Sequence, residues 1–191
     1  MTKQQRTKLA LKVLKRASKD PHECLHYAYV HTDGRQWICD SNILIGFHEH
    51  LDLPALPQGL EYVDVDRLLK PSLSFTENLE LPSVDDLKCY LAFFDWSSET
   101  KTFDFGPGLP LVNANLLLEV LQLVPNAFAR VDSKKKDRRG FCISEIVFRN
   151  EEGDCALLLP LRPLDGHVSV VTNLKEGPWC LENGKTSACA E

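Results

Sequence analysis

Two stretches far apart in the chain are written in the same order. LALKVLK at 9–15 precedes YVHTDGRQWICDSNIL at 29–44, and LLLEVLQ at 116–122 precedes IVFRNEEGDCALLLPL at 146–161. Each reads as helix, strand, acidic-glycine turn, strand. The echo suggests a duplicated helix–hairpin unit, with chance similarity as the competing reading, and an α+β arrangement of helices and antiparallel strands. With 191 residues, 43% of them apolar, the chain has ample length for such a core and is one domain or two small ones.

Local signals place the elements. Residues 2–19 have good helix formers, no Gly, Thr2 or Thr7 as a cap, and Pro21 just beyond. From 25 to 31, apolar and polar residues alternate as in a strand; Asp33-Gly34 is a hairpin turn, with strands at 36–40 and 43–48. Glu61 to Val63 reads as a short strand, followed by a helix from Asp64 or Asp66 that Pro71 stops. Strands are expected around Leu79 and Leu81, over 89–96 and over 102–105. GPGLP at 106–110 marks a half boundary near 106–111. An almost wholly apolar helix follows, with Asn113 as its cap and Pro125 as its stop. Strands at 128–131, 143–148 and 155–161 complete the second unit, with SKKKDRRG at 133–140 as a basic loop. This gives a domain over 1–163. Residues 164–191 add one strand at 167–172 and a turn-rich tail.

Charge is distributed unevenly. Seven of the 22 basic residues fall within 1–19, where there is no acid, and the remainder holds 15 basic residues against 27 acidic ones. On a helix at about 100° per residue, Leu9, Ala10, Val13, Leu14 and Ala17 share one side. Lys8, Lys12, Lys15 and Lys19 share another, Arg16 lies at its border, and Leu11 at the seam. The four ammonium groups line up over roughly 16 Å. A row of cations without i+4 acids attracts a phosphate backbone. The competing reading is an amphipathic helix whose wet side is lysine. Lys135 and Arg138, in the 133–140 loop, are secondary candidates for phosphate contact.

Catalytic and metal chemistry finds little purchase. His22, Cys24 and His26 would share a strand face, with Cys39, His48 and His50 as further ligands, but no standard zinc spacing occurs. His48-Glu49-His50 is not HExxH. Asp64, Asp66, Asp85, Asp86, Asp95 and Asp104 could pair as acid and base, but nothing in the sequence selects two of them, and cap and turn roles explain most. There is no GxSxG, P-loop or GxGxxG, and Trp37, Trp96 and Trp179 are too scattered for a stacking platform. No catalytic residue, metal or cofactor is expected. Seven cysteines without CxxC spacing suit reduced thiols and a cytoplasmic location. No apolar run is long enough to cross a membrane.

VNANLLLEVLQLV at 112–124 and ISEIVFRNEEGDCALLLPLRP at 143–163 together resemble the end of a bacterial sliding clamp, the β subunit of DNA polymerase III. In that family a helix is followed by a strand, an acidic-glycine turn and a last strand ending in Met-Pro-Leu-Arg-like residues. The ending here is Leu159-Pro160-Leu161-Arg162. LALKVLKRASKD at 9–20 is similar to the first DNA-facing helix of a clamp domain. YAYVHTDGRQWICDSNILIGF at 27–47 and LEYVDVDRLLKPSL at 60–73 are similar to the elements that follow. The family's Ala-Thr-Asp-Gly segment is Cys39-Asp40-Ser41-Asn42 here, keeping the Asp and losing the Gly. The resemblance covers about two thirds of the chain, one to one and a half clamp domains where a clamp protomer has three. It implies a DNA-clamp-like fold and a non-catalytic replication accessory. Such a protein would hold duplex DNA through Lys8, Lys12, Lys15, Arg16 and Lys19, self-associate, and dock a polymerase or other replication proteins. Two other readings stand beside it: an interaction module of the same fold that binds no DNA, and a small hydrolase using a carboxylate or Cys/His pair.

Overall fold

The computed structural model describes residues 1–93 and 101–162. The chain is a mixed α/β protein built on antiparallel sheet. Nine strands are described: β1 (Tyr29–Val30), β2 (Gln36–Cys39), β3 (Ile43–Phe47), β4 (Glu77–Leu79), β5 (Thr102–Asp104), β6 (Leu111–Asn113), β7 (Phe128–Val131), β8 (Ile146–Arg149) and β9 (Cys155–Leu158). Four α-helices accompany them: α1 (Lys3–Ala17), α2 (Val65–Leu69), α3 (Val84–Phe93) and α4 (Ala114–Leu123). Seven strands form one sheet in the order β1-β2-β3-β9-β8-β7-β4, and β5 pairs with β6 as a separate hairpin around the glycines of 106–108.

Apart from β4 at one edge, the order of the large sheet reads the same outward from the β3–β9 pair. β3 and β9 run antiparallel with Ile43 opposite Leu158 and Gly46 opposite Cys155. α1 with β1, β2 and β3 lies on one side of this seam, and α4 with β7, β8 and β9 on the other. The repeated unit is thus a helix plus three strands. Matching the Asp33-Gly34 turn to Glu151-Glu152-Gly153 is one strand out of phase. The β8–β9 turn corresponds to the β2–β3 turn at Asp40-Ser41-Asn42, and the 133–140 loop corresponds to Asp33-Gly34. Both units share one sheet, and 106–110 is a hairpin turn within the fold.

Each side of the sheet has its own apolar layer. Ile38, Ile45, Phe47, Ile146, Phe148 and Leu158 meet Ala10, Val13 and Leu14 of α1 and Leu117, Val120 and Leu121 of α4. On the opposite face Trp37, Leu44, Val147, Cys155 and Leu157 are covered by Val65, Leu69 and Phe75. Alternation along the strands produces both layers. Gly46 faces Trp37 so closely that a Cβ there would lie 2.8 Å from the indole ring. Gly46→Ala should therefore cost about 1–3 kcal/mol through overpacking, read as a lower urea midpoint at unchanged m-value.

Several expectations were met in detail. Thr2 caps α1 through a reciprocal box with Gln5. Asp64 caps α2, and Asn113 caps α4 by accepting the N–H groups of Asn115 and Leu116. Others need correction. Residues 23–26 form a 3₁₀ turn, because the Leu25 N–H bonds the His22 carbonyl and only Leu25 turns inward. Residues 61–63 are irregular, and Tyr62 stacks on Tyr29 at 5.1 Å between centroids. Where a strand was expected at 89–96, residues 89–93 are the end of α3, and 94–96 lie outside the described residues. Ser83 Oγ accepts the Asp86 N–H, and Leu87, Tyr90 and Leu91 bury one helical face. The strand expected at 167–172, Asp95, Trp96 and Trp179 lie outside the described residues.

Candidate nucleic-acid interface

α1 is held at both ends, and this fixes where its lysines point. Near its start, Arg6 is buried. Its Nη2 donates to Asp154 Oδ2 at 2.6 Å and to the Leu123 carbonyl at 2.9 Å, and its guanidinium lies 5.4 Å from the Phe47 centroid. Near its end, Arg16 Nε donates to Asp40 Oδ2 at 2.5 Å, while Nη1 and Nη2 donate to Glu119 at 2.9 and 2.8 Å. Burial works against the Arg16 charge, but Glu119 and Asp40 outweigh it and hold its pKa above the ordinary arginine value. Asp154 belongs to the β8–β9 turn and Asp40 to the β2–β3 turn. The helix thus spans the β3–β9 seam, tied to one hairpin of each unit and to α4.

With both arginines turned inward, the outer side of α1 carries Lys8, Lys12 and Lys15, while Lys19, expected on the helix, lies in the turn beyond its Ser18 cap; all four are exposed. None has an ion pair among the described residues. Lys3 is exposed on the same helix and pairs with Glu49 at 3.2 Å. Asp20 closes the row. The Ser41 hydroxyl and the His22 N–H, then the His22 ring, hold its carboxyl at about 2, so it is an anion at any physiological pH. Arg16 was expected among the phosphate contacts. The structure instead spends its guanidinium on Asp40 and Glu119, with the side chain 35% exposed.

The secondary candidates divide the same way. Lys135 Nζ lies 2.6 Å from Glu145 and is neutralised there. Arg138 is exposed with no ion-pair partner among the described residues. Their loop joins β7 to β8 at the end of the sheet that also holds the β2–β3 turn and the C-terminus of α1. It lies about three strand spacings away laterally, roughly 14 Å. α4 lies beside α1, and its solvent side offers Asn115, Leu118, Glu119 and Gln122, with no cation.

Of the residues weighed for other chemistry, His22 and Cys39 line one pocket and Asp64 and Asp66 another. His22, Cys24 and His26 sit at or in the 3₁₀ turn, so they do not alternate along a strand. The rings of His22 and His26 both contact Asp20, and His50 contacts the Gly34 carbonyl. Among the described residues no three His, Cys, Asp or Glu side chains gather as metal ligands. Burial pushes the Cys39 thiol up to about 12 and Cys155 up to about 11, which makes both poor nucleophiles. No described helix is long and apolar enough to cross a membrane. The arginines that set the helix were not singled out from sequence as structural; they differ from the lysines in bearing a fork that fits carboxylates. No family model, no curated protein and no solved structure matches the chain.

Proposed function

We propose that this protein is a non-catalytic, clamp-like replication accessory that holds duplex DNA by its phosphate backbone through α1. The observation that carries the reading is the group Lys8, Lys12 and Lys15 on a helix anchored at both ends, with Lys19 in the turn that follows, all exposed and without ion pairs among the described residues. The three on the helix stand in like-charged i,i+3 and i,i+4 pairs, each costing about 0.2–0.5 kcal/mol in an isolated helix. A phosphate backbone relieves that repulsion. The rest of the chain is acidic, which discourages stray contacts and confines binding to the helix. Lysines reaching phosphates confer no sequence preference. Arg138 extends the basic surface, and Arg16 acts by orienting the helix.

Four lysines give modest affinity, so lasting retention requires several copies around one duplex, a cytoplasmic homo-oligomer that also docks a polymerase or another replication protein. The test is a salt series on the wild-type protein with circular and linear duplexes, with molar mass followed in parallel. Log affinity should fall by about 3–4 per log unit of salt, and a multimer should hold circles longer than linear DNA. A salt-independent monomer would sink the reading. One observation favours a second reading, an interaction module of the same fold without DNA: α4, beside α1, presents no cation to solvent. In that case an acidic protein would bind the lysine row and duplex DNA would not.

A further inference from the structure

Among the described residues, the sheet face opposite α1 is only half covered. α2 and the 3₁₀ segment Lys70–Ser74 shield Leu44, Leu157 and Val147, whereas Phe128, Arg130 and Arg149, toward the β7–β4 edge, are exposed. Burial alternates along β7, so Phe128 and Arg130 point to this outer face while Ala129 and Val131 point to the helices. Phe128 is 46% exposed and stands opposite Arg149 on β8, and the Arg130 guanidinium lies 5.8 Å from its ring centroid. A planar aromatic surface is thus flanked by two arginines on a rigid sheet.

This face runs into a cleft of about 920 Å³ at Arg149, whose far wall is α2 and the 3₁₀ segment, with Arg67, Lys70 and Leu73. Arg35 is tied to Asp33 and the Gly153 carbonyl. Asp154 is buried against Arg6, Asp64 caps α2, and Asp66 lies 3.5 Å from the His31 ring. Arg67, Lys70, Arg130 and Arg149 remain exposed and without ion pairs among the described residues. Four free cations around an exposed aromatic ring and a cleft complement a flexible polyanion that carries planar rings.

We propose that this face, Phe128 with Arg130 and Arg149 leading into the Arg67–Lys70 cleft, binds a short single-stranded nucleic acid. A base stacks on Phe128, where any base has a suitable face, and the phosphates lie along the arginines and Lys70. The α1 row is on the other side of the sheet, so the two sites can be occupied together. This site does not depend on the duplex-binding reading.

The test is fluorescence anisotropy with a labelled oligothymidine of about ten nucleotides at low salt. Phe128→Leu keeps apolar bulk and removes the ring, and should weaken binding by at least about fivefold, while Phe128→Tyr should retain it. Arg130→Glu with Arg149→Glu should abolish it. All these variants should hold duplex DNA as the wild type does, and Lys8→Glu/Lys12→Glu/Lys15→Glu should still bind the oligothymidine. No binding by wild type overturns the inference, as does equal binding by Phe128→Leu and wild type. So does an acidic peptide that binds this face while the oligothymidine does not. Loss of duplex retention alone counts against the α1 reading and not against this one.

Discussion

Asp154→Ala is expected to destabilise the fold by about 3–5 kcal/mol, the usual cost of removing one partner of a buried ion pair. The Asp154 side chain is 1% exposed and that of Arg6 7%. Asp154 also accepts the His48 N–H at 2.9 Å and the Asn150 amide at 3.3 Å. The substitution strands a buried guanidinium whose Nε already lacks a partner, and it frees a main-chain donor. At about 2–4 °C per kcal/mol for a chain of this size, the melting temperature should fall by roughly 6–20 °C. Joint replacement, Arg6→Met with Asp154→Leu, removes both charges and should restore most of the loss, leaving about 1–3 kcal/mol for the unpaired His48 N–H. A loss below about 1 kcal/mol in Asp154→Ala would show that the pair contributes little to holding α1.

Lys8→Glu/Lys12→Glu/Lys15→Glu should abolish duplex retention and leave the thermal midpoint nearly unchanged. Function and stability separate here because these side chains are exposed and touch no charged partner among the described residues. Local costs are small: a carboxylate at 15, in the last turn, opposes the helix dipole by about 0.3–1 kcal/mol. For DNA the loss is threefold in contacts, with repulsion added. The neutral set Lys8→Gln/Lys12→Gln/Lys15→Gln should reduce the salt slope by about 0.9 per residue, to roughly 1. Unaltered low-salt binding by the glutamate variant would place the duplex elsewhere on the molecule. Lys3→Gln is the control, since Lys3 already pairs with Glu49.

The elements that could be read from the chain were those with a punctuating residue at each end. Asn113 and Pro125 delimit α4, and Asp33-Gly34 sets the β1–β2 turn, with Gly34 at φ 82°. α3 was misread although Ser83-Val84-Asp85-Asp86 spells a helix start, because the apolar run after it suits strand and helix equally. The lysine row was legible because helical spacing alone decides it. The roles of Arg6 and Arg16 were not, since their acceptors are 148 and 103 residues away for Asp154 and Glu119. Phe128, Arg130 and Arg149 alternate visibly along β7 and β8, but only the fold brings them to one side of the sheet, left exposed by the described residues.

The span between Arg6 and Asp154 has a consequence for biosynthesis. α1 is made before every strand it packs on, and its anchoring carboxylate follows 148 residues after Arg6. At about 5–20 residues per second the interval is roughly 7–30 s. For most of it Ala10, Val13 and Leu14 lack the α4 surface that later buries them, and for all of it they lack β9. The nascent helix is then an amphipathic cation with an open apolar side, the kind of segment that chaperones and anionic surfaces capture. Arrest after β9 emerges should make the N-terminal helix protease-resistant, and arrest before α4 should leave it cleavable.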